Sequence, residues 1–213
     1  IMLLKLRNTL ISLSFIYFLG LETPPLKAEM VFNDEDHCLA YQTEETILLF
    51  FDSIVIGKTC EISVRFESTG SGKKLLVSFP IQSLDSGVGL RDKDVTKMLS
   101  FETSTDILFV SDYLTENKIS SALSQGKIKL GGLLTVAGKS HRVLFPLKLL
   151  LDHSETWLVT GKLITSLSDL GLELPSVLGG VVAETRDYLE ILVHLRFQQV
   201  KGVPMLQSMI FNQ

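Results

Sequence analysis

Two cysteines, four histidines and a single tryptophan are all that 213 residues contain of those three types. Each scarcity excludes something. His37, His141, His153 and His194 are dispersed, with no pair at ligand spacing, so no metal site is expected and each reads as a surface or hydrogen-bonded histidine. No Gly-x-Ser-x-Gly elbow is present to carry a nucleophilic serine. Gly70-Ser71-Gly72-Lys73-Lys74 only superficially suggests a phosphate-binding loop. Glu67 stands where that motif needs its first glycine and Lys74 where it needs Ser or Thr, so the segment reads as a hairpin turn. Asp85, Asp92, Asp94 and Asp169 take turn or cap roles by default, and no catalytic residue is identified. Basic excess is lacking too. The formal net charge is −4, which argues against nucleic acid as a partner.

What is present begins with an apolar leader. Lys5 and Arg7 precede the run Leu10 to Leu21, followed by Pro24-Pro25 and the small residue Ala28. This is the pattern of a secretory signal, and the run is shorter than the ~20 residues that a spanning helix needs. Residues 1–28 are therefore expected to be a signal peptide and 29–213 an exported domain with no stable membrane span. Without Lys5, Arg7, Lys27 and Glu22 the formal charge moves from −4 to −6. That argues against electrostatic docking on anionic lipid, so a bound lipid would have to be held by an apolar interior. Cys38 and Cys60 both lie beyond the leader. In an oxidising compartment they can pair; two free or buried thiols are the alternative. Asp36-His37 precede Cys38 where a lipoprotein anchor would have small residues.

From about Thr46 the pattern is period two. Thr46 to Val55, Cys60 to Glu67, Leu75 to Ser83, Ile107 to Ser111, Lys127 to Val136, Val143 to Leu151, Trp157 to Thr165 and Tyr188 to Phe197 read as strands, with turn residues between. Asp92 to Leu99 is the one short helix expected, with Val95, Met98 and Leu99 on one side. Pro146 suits an edge or a bulge better than a central ladder position. Strands recurring every ~10 to 15 residues favour an antiparallel barrel or sandwich over a parallel sheet. Leu75, Val77, Phe79 and Ile81 form one inward row and Ile107 and Phe109 another. Leu134 and Val136, then Val143, Phe145 and Leu147, then Leu189 to Phe197 by alternation, complete the set. Such rows either pack solid or line a cavity for one small ligand.

An ordered series of motifs runs through these strands. Ser83-Leu84-Asp85-Ser86-Gly87 is followed by Arg91-Asp92, then Phe109-Val110-Ser111, then Gly132-Leu133-Leu134-Thr135-Val136-Ala137-Gly138, then Asp169-Leu170-Gly171 and the alternating strand Leu189 to Phe197. The series resembles the YceI-like family of exported lipid- and polyisoprenoid-binding β-barrels, across roughly Thr46 to Phe197. Two positions depart from the family pattern: Leu167 stands in place of an Arg, and Asp94 in place of a His.

The resemblance implies an all-β fold, an antiparallel lipocalin-like barrel of about eight strands with one short helix. The domain is 29–213, its core about 46–197, with a C-terminal extension at 198–213. The function implied is non-enzymatic. A polyisoprenoid or another long-chain amphiphile, such as a fatty-acid derivative, is sequestered or carried inside the barrel, in the periplasm or secreted from a bacterium. No cofactor is expected apart from such a lipid. On this reading Val77, Phe79, Ile81, Phe109, Val136, Phe145, Ile191 and Val193 contact the ligand. Arg91 faces a polar head group or forms a turn salt bridge with Asp85 or Asp92. The alternative is a filled barrel that serves as an envelope interaction module for a protein partner. A homodimer is left open.

Overall fold

Alternation of period two becomes a single antiparallel sheet in the computed structural model. The structure describes residues 31–47, 51–70, 72–100, 104–153, 155–174, 176–177 and 183–198. The expected signal peptide at 1–28 lies outside the described residues, as does the C-terminal extension beyond Gln198. The elements run β1 (Cys38–Ile47), β2 (Phe51–Thr59), β3 (Ser63–Thr69), β4 (Gly72–Pro80), α1 (Gly89–Leu99), β5 (Asp106–Ser111), α2 (Glu116–Gln125), β6 (Lys127–Val136), β7 (Lys139–Leu151), β8 (Thr156–Thr165), β9 (Ser176–Val177), β10 (Ala183–Thr185) and β11 (Leu189–Gln198).

From β3 to β8 each strand pairs with its successor in the chain; β8 pairs β11, and β11 pairs β1. β2 covers one side of β1, so β10 and β11 lie end to end along the other. β2 and β3, which with the two-residue β9 are the edge strands of the described sheet, are separated only by residues 60–62. They act as one bent strand, and the sheet curls back on itself. Counting β2–β3 and β10–β11 each as one and leaving aside the two-residue β9 at the edge beyond β10, the described sheet has eight strands around the interior, against about eight expected. Two further ties hold the bend. Lys58 and Asp85 exchange backbone hydrogen bonds of 2.9 and 3.0 Å, and a disulfide joins Cys38 to Cys60. The pairing left open by the sequence is thus made.

Register places the apolar rows side by side. Val77 pairs with Phe109 and Phe79 with Ile107; Phe109 pairs with Leu134. Leu130 pairs with Phe145, Leu149 with Val159, and Val159 with Leu195. The rows meet on the concave face, where they lose contact with water together.

Several expectations are corrected. Thr46 to Val55 is not one strand: β1 ends at Ile47, β2 begins at Phe51, and the two pair as a hairpin. β3 begins at Ser63, three residues after the disulfide that holds Cys60. A second helix, α2, joins α1. Its N-terminus is capped by Thr115, whose side-chain oxygen accepts from Lys118 N–H at 3.3 Å, and Gly126 ends it at φ +64°. Pro146 lies inside β7 and pairs with Lys129 of β6. On its other side the β7–β8 ladder begins only at Leu147–Gly161, directly after the residue without an N–H. Beyond that point β7 and β8 part company. The segment around Leu167, Leu170 and Leu172 is buried in the same region, with Gly171 close to Lys139 and His141 of β7.

Candidate ligand-binding cavity

The concave face does not fill itself. A cavity of about 540 Å³ runs through the interior, within the range of sites that hold small molecules. α1 and the Leu167–Leu172 segment border one end, and Leu114 and α2 border the other through Ile119, Ala122 and Leu123. Nearly every lining group is aliphatic or aromatic. Val77, Phe79, Phe109, Val136, Phe145, Ile191 and Val193 all line it, as the alternation suggested. Phe109 and Phe145 meet edge to face with centroids 5.6 Å apart, bracing one wall. Ile81 is the exception. The chain leaves β4 at Pro80 and turns through a 3₁₀ segment, so Ile81 is buried in the core beside Thr105 and does not line the cavity.

Arg91 lines the cavity at the α1 end, but its partner is neither Asp85 nor Asp92. It donates to Glu45 Oε1 of β1 at 3.2 Å. Asp92 accepts instead from Ser86 N–H at 3.0 Å and from the Ser86 hydroxyl at 2.6 Å, and Asp85 accepts from Gly87 N–H at 2.7 Å. These two carboxylates hold the turn that aims α1.

β1 supplies the polar side of this end through Tyr41, Thr43 and Glu45, which alternate inward along it. Thr43 is committed, donating to the Tyr188 carbonyl at 2.7 Å. Tyr41 pairs with Gly57, and its ring lies over that glycine: a Cβ at position 57 would meet Tyr41 ring atoms at 2.2 and 2.5 Å. The Tyr41 hydroxyl is buried and makes no hydrogen bond of normal geometry. Ser86 lies near it, with its own hydroxyl given to Asp92. Burial, reinforced by the Asp92 charge, pushes the Tyr41 phenol up to about 12, so it stays protonated as a donor. Asp94 and Thr185 complete the polar groups. Sequence reasoning missed Tyr41, Thr43 and Glu45 because it began the first strand at Thr46; the alternation Leu39, Tyr41, Thr43, Glu45 was the available signal.

Among the described residues no group of His, Cys, Asp and Glu is arranged to hold a metal ion, and no helix is long and apolar enough to cross a membrane. His194 faces away from the interior, as its place between Val193 and Leu195 implied: its Nδ1 lies 2.8 Å from the Asp36 carbonyl oxygen and its ring stacks on Phe32.

No family model and no curated protein matches the chain. Solved structures do. BcnA of Burkholderia cenocepacia superposes with a TM-score of 0.55 at 16% identity, over 75% of this chain and 95% of that one. A YceI protein of Campylobacter jejuni gives 0.49 at 15% identity, over 68% and 85%. A polyisoprenoid-binding domain from Saccharophagus degradans gives 0.46 at 11%, over 73% and 94%. YceI-like structures thus stand among the neighbours of this chain. The likeness to BcnA establishes a shared fold, and the two looser superpositions add no argument to it.

Proposed function

We propose that this chain is a non-enzymatic lipid-binding protein of the bacterial envelope, periplasmic or secreted. It sequesters or carries a polyisoprenoid or another long-chain amphiphile with its tail inside the barrel. The observation that supports this most directly is the apolar cavity of about 540 Å³. A filled barrel built for a protein partner would have packed that space. The driving force is burial, ~0.8 kcal/mol for each methylene taken from water, from which the cost of ordering the tail is subtracted. Val77, Phe79, Phe109, Val136, Phe145, Ile191 and Val193 form the tail contacts. The Cys38–Cys60 disulfide suits an oxidising compartment. Polyisoprenoid binding is named for the Saccharophagus domain, and that ligand class is carried to this chain as part of the proposal.

The test is extraction of the purified protein with organic solvent and mass spectrometry of the extract. A long-chain lipid at near-stoichiometric amount is expected. Phe79→Asp or Phe145→Asp places a carboxylate in the tail path and abolishes loading. An extract without lipid, together with no uptake from lipid vesicles, overturns the proposal. Unchanged loading of a folded Phe79→Asp or Phe145→Asp protein refutes the assignment of these walls.

A further inference from the structure

The two ends of the cavity are finished differently. At the α2 end the lining side chains Leu114, Ile119, Ala122 and Leu123 are buried or half-buried, and every exposed residue of α2, from Glu116 to Gln125, is polar. The α1 end is the reverse. Among the described lining residues only Val88, Leu90 and Asp94 are exposed, all at the start of α1, so the cavity meets solvent there. Leu90 is 76% exposed and Val88 45%. Phe51 joins them from β2. It continues the inward row of that strand, from Val55, which lines the cavity, through Ser53, yet it is 65% exposed. Arg91, next in the chain to Leu90, bonds to Glu45 at 3.2 Å, and Glu45 lies two residues from Ile47, the register partner of Phe51. The helix start and the hairpin end therefore share one rim. In sequence the link between Ile47 and Phe51 is wholly apolar, Leu48-Leu49-Phe50. The ion pairs beside the rim are internal to the protein: Arg91 with Glu45, and Arg186 with Glu44 and Asp52. Lys93 and Asp94 are both exposed, with opposite signs. Such a rim has apolar reach and little charge to steer with.

Large apolar side chains clustered in water are unfavourable unless an apolar partner receives them. Their place at the mouth identifies that partner. A long-chain amphiphile resides in a bilayer, and a tail crossing water to this cavity would expose every methylene on the way. With the rim sunk among lipid head groups, the tail passes from one apolar medium to the other. We propose that Phe51, Val88 and Leu90 form a docking surface for a lipid bilayer, entered by shallow apolar insertion, and that lipid moves between cavity and membrane while the two are in contact. α2, polar on its outside, closes the opposite end toward water. The proposal rests on the carrier reading and names the partner from which the carrier loads.

The experiment follows a pyrene-labelled long-chain alcohol from the loaded protein into phosphatidylcholine vesicles that contain a quencher, with parent and variants in the same purified form. Transfer by contact speeds up in proportion to vesicle concentration, and is little changed by salt or by adding phosphatidylglycerol to the vesicles. Phe51 lies outside the cavity lining. Phe51→Ser is therefore expected to slow transfer about five-fold while leaving affinity for the labelled alcohol unchanged. Leu90→Ser slows transfer as well. Leu144→Ser, which removes a leucine 52% exposed on the outer wall of β7, leaves the rate as it was. A rate independent of vesicle concentration means that the lipid crosses water, and overturns the proposal. So does transfer that requires phosphatidylglycerol, a Leu144→Ser loss as large as that of Phe51→Ser, or a Phe51→Ser protein that changes oligomeric state but not transfer rate, since the rim then meets a second copy. Each of these leaves the carrier function standing. If the protein takes up no labelled lipid at all, the carrier reading itself has failed and the proposal falls with it.

Discussion

At the scale of single residues, Gly57 shows how closely a cavity wall is specified. Its missing side chain is the seat of Tyr41: a Cβ there would come within 2.2 to 2.7 Å of three atoms at the far end of the tyrosine. Gly57→Ala therefore leaves the β1–β2 backbone pairing possible but forces Tyr41 off its seat. The expected cost is about 1–3 kcal/mol, as for other overpacked interiors, read as a lower urea midpoint with an unchanged slope. In a Tyr41→Ala background the same substitution should cost almost nothing. A cost that persists there would show that the strain lies in the backbone, not in the ring. Tyr41 and Glu45 were not legible as site residues from sequence, because polar residues on a strand are normally assigned to the solvent face and β1 was begun too late. Ile81 was misplaced for a related reason. Alternation carried it past Pro80, where the strand in fact ends.

Among the elements, the β1–β2 hairpin carries the heaviest constraint. It is the only hairpin in the described chain with a disulfide across its open end, joining residues 22 apart next to the bend at 60–62. Reduction, or Cys38→Ser with Cys60→Ser, is expected to lower stability by about 3 kcal/mol through the freedom restored to the unfolded loop. Denaturant melts with and without reductant measure it. Identical midpoints would mean that the Lys58–Asp85 bridge and the ladder suffice to hold the bend. The strands from β4 to β8 were readable because large apolar residues recurring at period two fit a half-buried strand and little else. α2 was not, although Thr115 and Gly126 bracket it as cap residues should. Ten residues with only Ile119, Ala122 and Leu123 turned inward make a weak periodic signal beside the strands around them.

For the whole molecule, acid reports how its parts are tied. Burial holds the His37 imidazole below its ordinary 6.5, against a contact of 3.0 Å with the Arg196 carbonyl that favours the charged form. A depressed histidine resists protonation when folded, so the unfolded chain takes the proton first. Stability is full above ~6.5 and declines as pH falls from there toward the folded value. Three carboxylates act in a lower window. Asp36 is held low by Asn33 N–H, Asp112 by Arg142 at 2.6 Å, and Asp187 by Ser168. Their contributions are present above ~3.9 and are lost as pH falls through their folded values. Urea midpoints measured from pH 8 to pH 3 should therefore fall in two limbs. His37→Gln should remove the upper limb and spare the lower; an upper limb that survives this substitution assigns it elsewhere. At this scale the sequence spoke least. Strand number and antiparallel sense follow from local pattern, but whether the rows leave a void does not, because one set of inward residues serves a plugged interior and an open one equally well.

The pairing of β1 with β11 brings Cys38 opposite His194, whereas from β3 to β8 every ladder joins neighbours in sequence. Local hairpins can zip early; the last join must wait for two distant stretches to find each other. Until residues 189–198 dock, the vessel has a missing stave, and grease placed in it would face water along the gap. Cargo is therefore retained only after the final stretch arrives, and a nascent molecule offers its passenger no shelter until then.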